Sequence, residues 1–262
     1  DLSGEKAQAL MKVLHIITRM NTGGPAVFLD HLTNAMKDLD TQSTIAYGYC
    51  ESNESDFTQN HKLGAHLLKI NTLHRSLNPL DDLRSFLSLR KIIKELKPDL
   101  INTHTSKAGV LGRLAAKSVS RKLPVVHTFH GHLLHGYFSP RKTQLVILLE
   151  KIFGLITFRF IAIGNVVKND LVRVRISQDS KFEVIYPGLQ DLDKYPKKDA
   201  RASLALNPNK KYLVFVGRLT SIKRPERLID LARFLKNEHP EFWLLIAGAG
   251  ELLDELIYAI RK

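Results

Sequence analysis

Short apolar runs alternate along the chain with longer stretches in which apolar residues recur every three to four positions. Lys12–Thr18 reads as a buried strand, and Pro25–Leu39 as a helix entered through a glycine-bearing loop. A strand follows at Ser43–Tyr49 and a shorter one at His66–Ile70. In Pro79–Leu96, residues Leu83, Phe86, Leu89, Ile93 and Leu96 lie on or beside one helical face, and Pro98 ends the element. The alternation continues through strand Asp99–His104, helix Lys107–Val119, strand Pro124–Phe129, helix Pro140–Thr157, strand Arg159–Ile163, helix Val166–Val174 and strand Phe182–Tyr186. A helix between successive strands is the crossover that parallel pairing requires, so the pattern predicts an α/β fold with a parallel sheet.

Pro187-Gly188 interrupts the pattern, and the polar stretch Gln190–Lys198 reads as a linker. Beyond it come strand Tyr212–Gly217, helix Pro225–Asn237, strand Phe242–Ala247 and helix Gly250–Ile260. The expected organisation is an extension over residues 1–10, a first Rossmann-like lobe over 11–188, a linker over 189–198 and a second lobe over 199–262. A doubly wound half-sheet has about five or six strands. A second lobe with only the pair after the linker would leave a sheet edge unpaired and helix faces uncovered, so it is expected to be partial.

Charge adds a preference for anions. The 39 Lys and Arg outnumber the 26 Asp and Glu for a net +13, which favours phosphorylated ligands, polyanions or an anionic membrane surface. No helix-turn-helix, RNP-like or zinc-finger pattern accompanies that charge, so nucleic acid is not the expected partner. A lone cysteine, Cys50, excludes an internal disulfide framework and a multi-cysteine metal site, and suits a cytoplasmic setting. The longest apolar candidate, Leu145 to Ile163, is broken by Glu150, Lys151 and Arg159 and does not read as a membrane span. Helix Pro140–Thr157 sets Arg141, Lys142 and Lys151 beside Leu145, Leu148, Leu149, Ile152 and Phe153. That composition suits a helix lying on a membrane surface, and a buried core helix at least equally well.

The candidate chemistry lies where strands end. Asn21-Thr22-Gly23-Gly24-Pro25 follows a strand and opens a helix, so free amides and a small-residue backbone are available to an anion. Its spacing is not the G-x-G-x-x-G of dinucleotide enzymes. Val214–Val216 delivers Gly217 and Arg218 to a strand end, with Lys223 just ahead of the helix from Pro225. A guanidinium fork and a mobile ammonium there suit a diphosphate and the charge that grows on it as it leaves. His127, His130 and His132 cluster at another strand end, with Gly131 between and His135 beyond. Sugar or phosphate contact is the expected use, because no H-E-x-x-H pattern, cysteine or carboxylate cluster supports a metal. In Thr103–Gly109 the hydroxyls are expected to cap the next helix, with His104 and Lys107 as secondary pocket candidates. Gly248 and Gly250 close the last strand and suit either a nucleotide or a tight turn.

Taken together, Thr22-Gly23-Gly24-Pro25, His127-Thr128-Phe129-His130-Gly131-His132, Val216–Lys223 and Ile246–Glu251 resemble the retaining GT-B glycosyltransferases of family 4. Asn102–Arg113 and His135–Thr143 are similar to bacterial members that build surface polysaccharide or lipid-linked glycans. The resemblance implies two Rossmann-like lobes, a nucleotide-diphosphate sugar as donor, a lipid-linked or glycan acceptor, peripheral docking on an anionic membrane and no metal or other cofactor. On this chain it implies that Gly23 and Gly24 border the diphosphate from the first lobe. His130 would contact the donor sugar, and Arg218 and Lys223 would grip the diphosphate and assist its departure, with Gly217, Gly248 and Gly250 beside it. His104, Lys107 and His132 would line the acceptor side. The family's paired-glutamate motif has no counterpart before Lys262, and Arg224 stands where many relatives carry a small or polar residue. The chain is thus expected to carry half of a donor site and little transferase activity alone. A GT-B nucleotide-sugar epimerase and a non-catalytic binding or scaffold subunit are the alternatives.

Overall fold

In a computed structural model, described over residues 10–52, 54–131, 134, 139–188 and 195–261, the chain divides into two compact units, Asp1–Gln190 and Asp191–Lys262. The first is built on strands β1 (Met11–Ile17), β2 (Thr41–Tyr47), β3 (His66–Lys69), β4 (Leu100–His104), β5 (Val125–Phe129), β6 (Arg159–Ala162) and β7 (Phe182–Val184). They form one sheet in the order β3-β2-β1-β4-β5-β6-β7, and every neighbouring pair is parallel. The connections include helices α1 (Gly24–Lys37), α2 (Pro79–Leu96), α3 (Ser106–Val119), α4 (Pro140–Gly154) and α5 (Asn165–Arg173). This is the α/β class that the alternating pattern predicts. From β1 the chain runs outward through β2 and β3, then returns to place β4 on the other side of β1. That reversal opens a crevice at the carboxyl ends of β1 and β4, the position where open α/β sheets take ligands.

Both sheet faces are covered. Leu14, Ile16, Ile101 and Val125 pack with Leu89 and Ile93 of α2 and Ala108, Ala115 and Ala116 of α3. Ile17, Ile45 and Tyr47 pack with Ala26 and Leu29 of α1, beside Met20 and Phe57. A third cluster joins Phe160 and Phe182 to Leu171 and Ile176. Helix α2 starts where its sequence says it should: Asn78 Oδ1 accepts from the amides of Leu80 and Asp81, and Pro79 occupies the first turn.

Helix α4 departs from the core reading. It buries Glu150, Phe153 and Gly154, while Leu145, Leu148, Leu149 and Ile152 are exposed. Its buried anchor is an ion pair. The Arg113 guanidinium, fully buried on α3, donates from Nη2 to Glu150 Oε1 at 3.1 Å and Oε2 at 2.9 Å. Arg113 Nε donates to the Gly109 carbonyl at 2.8 Å, and the guanidinium carbon lies 5.0 Å from the centre of the Phe153 ring. The pair clamps α3 to α4 in the interior.

The second unit holds α6 (Lys197–Ser203), β8 (Lys211–Val216), α7 (Glu226–Glu238), β9 (Phe242–Ala247) and α8 (Leu253–Arg261). Helix α6 begins inside the stretch read as linker, whose residues 189–194 lie outside the described ones. β8 and β9 pair in parallel as a two-stranded sheet, and Leu213, Val214 and Val216 on β8 are exposed.

Removing one partner of a buried charge pair strands the other, at a cost of about 3–5 kcal/mol. Glu150→Ala is therefore expected to destabilise the first unit by that amount in urea denaturation, with Arg113→Met/Glu150→Leu recovering most of the loss. Equal stability of Glu150→Ala and the unsubstituted chain would show that the clamp contributes nothing.

Candidate functional site

Parallel register decides which side chains meet at the crevice. His15 is the partner of Asn102, Ile17 of His104, and His104 of Thr128, so these residues share one face of the sheet. Phe28 of α1 lies over that face, with its ring centre 6.4 Å from that of His104 and 5.0 Å, edge-on, from that of His130. The three imidazoles form a chain. His15 Nδ1 is 3.3 Å from His104 Nε2, and His104 Nδ1 is 2.8 Å from His130 Nε2. Burial lowers the His130 and His15 pKa values to about 4 each, and holds His104 well below its ordinary value with help from the neighbouring His130, His15 and His127. All three rings are neutral at pH 7.

His127 points into the other layer. Its Nδ1 is 2.8 Å from Thr103 Oγ1, and a side chain at Gly109 would come within 2.7 Å of its ring. Burial, then the Arg113 charge, holds its pKa well below the ordinary value. It is a packed core histidine. His132 lies outside the described residues, as does His135. Gly131, next to His130, has φ 140 and no atom within 4 Å of where a β-carbon would stand.

The β4–α3 corner is strained. Thr105 has φ 64, a sparsely populated region for a β-branched residue. The hydroxyls of Thr105 and Ser106 do not cap α3, contrary to expectation. The cap comes from the residue that follows β1: Thr18 Oγ1 accepts from the Ala108 amide at 3.2 Å and sits 2.7 Å from Thr105 Oγ1. The corner is thereby tied to the end of the neighbouring strand. Lys107 is drawn away from the crevice, since its ammonium pairs with Asp82 of α2 and donates to the Ser76 carbonyl.

At the β1–α1 turn the Gly23 carbonyl accepts from Ala26 and Val27, and Thr22 is anchored by its amide to the Ser55 carbonyl at 2.8 Å. A β-carbon on Gly24 would meet nothing within 4 Å, and one on Gly23 would have only Asn21 O at 3.8 Å. Chain packing therefore does not demand either glycine, and the space beside them is open. In the second unit the opposite holds. A β-carbon on Gly248 would come 1.9 Å from the Gly217 carbonyl oxygen, and one on Gly250 2.3 Å from that of Leu219. Leu219 donates to Ala249 O at 2.8 Å and accepts from Leu252, so these glycines let the loops after β8 and β9 touch. That contact braces the loop carrying Arg218 and Lys223. Both are exposed, and among the described residues neither has an ion-pair partner, whereas Arg224 pairs with Glu226 and Arg233 with Asp230.

A family model described as Glycosyltransferase Family 4 matches residues 22–191, nearly two thirds of the chain. The chain belongs to this family. A second model, Glycosyl transferases group 1, matches residues 196–262. An Escherichia coli UDP-Gal:alpha-D-GlcNAc-diphosphoundecaprenol alpha-1,3-galactosyltransferase is 33% identical over 196 residues, 71% of this chain and 50% of that protein. The chain spans half the length or less of the curated relatives it matches. Among solved structures, an Anabaena protein in complex with UDP and glucose matches at TM-score 0.70 with 21% identity, covering 96% of this chain and 66% of the other. A UDP-GlcNAc 2-epimerase from Methanocaldococcus jannaschii matches at 0.59 with 16% identity, covering 96% and 68%. The fold is GT-B, and this fold is shared by transferases and epimerases.

Two features were not read from sequence. His15 sits amid the aliphatic run of β1 and carries no motif, and the Arg113–Glu150 pair joins positions 37 apart in the chain. A polar residue inside an otherwise apolar strand or helix face is the only sequence signal that either leaves.

The buried histidines set an acid limit on stability. Above pH 6.5, their ordinary pKa, they are neutral folded and unfolded; below it the unfolded chain takes up protons that the fold excludes down to about pH 4. Stability is thus full at neutral pH and lost as the pH falls, by up to about 3 kcal/mol for each of His15 and His130. The urea midpoint is expected to drop steeply between pH 6.5 and 4, and less steeply in His15→Phe. An unchanged slope in that variant would contradict a neutral, buried His15.

Proposed function

We propose that the protein of which this chain is part transfers a sugar from a nucleotide-diphosphate donor to an acceptor, with retention of anomeric configuration. The observation that carries the reading is the loop after β8, where Arg218 and Lys223 stand exposed and unpaired among the described residues, ahead of α7. A guanidinium and an ammonium in that setting can bind a diphosphate without a metal and stabilise it as it leaves. Gly217, Gly248 and Gly250 support the loop, and in the first unit Gly23 and Gly24 leave open backbone that suits a phosphate oxygen. His130 contacts the donor sugar, with His104 behind it. Lys107 serves the acceptor side at most through its hold on α2. The E. coli relative's use of UDP-Gal and a diphosphoundecaprenol acceptor supports a UDP-sugar donor and a lipid-linked or surface-glycan acceptor. The apolar residues that β8 leaves uncovered support a donor lobe that needs further packing to work.

Calorimetric titration with UDP, GDP and UDP-sugars tests the site. Binding by the chain and at least tenfold weaker binding by Arg218→Ala/Lys223→Ala is the expected result, since each charge-assisted bond contributes about 1.5–3 kcal/mol. Equal affinity in the double variant would remove the diphosphate reading. Isomerised nucleotide sugar formed without an acceptor would favour the epimerase alternative, which the fold also accommodates.

The reading includes peripheral attachment to an anionic membrane from the cytoplasmic side. Among the described residues no helix is long and apolar enough to cross a membrane. Support comes from α4, which carries exposed Leu145, Leu148, Leu149 and Ile152 with Arg141, Lys142 and Lys151. The chain is expected to sediment with vesicles containing anionic lipid at low salt and to be released at high salt. Absence of binding at low salt would exclude the membrane from the reading.

A further inference from the structure

The histidine chain has a property that no single ring has. A neutral imidazole carries one N–H and one bare nitrogen, so two hydrogen bonds in series leave it no independent choice. His104 uses both nitrogens, Nε2 toward His15 and Nδ1 toward His130. If His104 is protonated at Nδ1, it donates to His130 Nε2 and accepts from His15 Nδ1–H. If it is protonated at Nε2, both bonds reverse, and His15 must carry its proton on Nε2. Mixed states break a bond.

The far end of the chain decides between the two. Among the described residues His15 Nε2 is buried and has no hydrogen-bond partner. In one arrangement that atom is a bare acceptor; in the other it is an N–H enclosed with nothing to receive it. A buried donor without a partner is the rarer and costlier state. The same polarity propagates outward: His15 donates from Nδ1, His104 donates from Nδ1, and His130 accepts at Nε2 and carries its own proton on Nδ1. Among the described residues His130 Nδ1 makes no hydrogen bond within the protein.

We infer that His15 and His104 are positioning residues that lock His130 as the neutral Nδ1–H tautomer, so that it offers the site a hydrogen-bond donor and cannot serve there as a base. The group it meets must then present an acceptor oxygen, a sugar hydroxyl or a phosphate oxygen. Its functional consequence rests on the reading of His130 as the donor-sugar contact; the tautomer itself does not. Phe28, edge-on to the His130 ring, restricts its rotation and keeps the donor aimed.

Long-range proton–nitrogen correlation of the ¹⁵N-histidine-labelled chain at pH 7.5 reads the tautomer directly, with the His130 signals identified by their loss in His130→Gln. The expected result is Nδ1–H at His130. His104→Asn, whose amide N–H replaces Nδ1–H, should retain it. His104→Leu should shift His130 toward the Nε2–H form that a free neutral histidine side chain prefers. Nε2–H at His130 in the unsubstituted chain would overturn the inference even if neither variant folds. So would an unchanged Nδ1–H signal in a folded His104→Leu. Addition of UDP-galactose separates the two claims: a locked tautomer whose signals do not respond to the nucleotide sugar supports the relay and counts against the sugar contact.

Discussion

Parallel pairing is the constraint on which the first unit depends. Because all seven strands run one way, every carboxyl end emerges on the same edge and every crossover must carry a helix back over a face. Both faces become buried, which is why β1 is apolar from Val13 to Ile17 except at His15, and why the buried Asn102, Thr103 and His104 of β4 are conspicuous. The reversal of strand order beside β1 then leaves one place on that edge uncovered by a crossover. Thr18, His104 and the turn at Gly23 converge there because connectivity sends them there, before any ligand is considered.

Most of this architecture was legible in the sequence because both its periods are strong. Apolar runs near strand length and apolar stripes at helical spacing alternate without ambiguity from Met11 to Tyr186, and the observed boundaries fall within a few residues of the pattern. The short helix α6 escaped because Lys197–Ser203 has a polar composition and no apolar stripe. Helix α4 stayed open between a surface and a core reading for a related reason: a row of leucines and isoleucines satisfies the pattern for burial, and periodicity does not say whether a partner covers the row. Here the buried side of the helix is set by Glu150, a residue whose type argues against burial until Arg113 is found opposite it.

At the site, legibility followed local context. Strand-end glycines and histidines were visible as candidates, but their jobs depend on what lies across from them. His127 and His130 are three residues apart, yet the pleat turns one into the helical layer and lets the other reach the crevice. Gly24 and Gly248 look alike in sequence. One has open space beside it and the other a carbonyl oxygen, which separates a glycine free for a ligand from one that the backbone needs. The hydroxyl serving the first turn of α3 arrives from the end of β1, 90 positions earlier, and no local motif could announce that.

The chain of imidazoles also bears on how such a protein can change. Each ring satisfies the next, so replacing any one leaves a buried nitrogen without its partner, while an aliphatic side chain at all three places would leave none. The fitness of a substitution at His15 therefore depends on what stands at His104 and His130, and the effects cannot add. Any stepwise route from the relay to an aliphatic trio passes through less stable intermediates. Drift at these positions is expected to be concerted, with the three residues inherited as one unit.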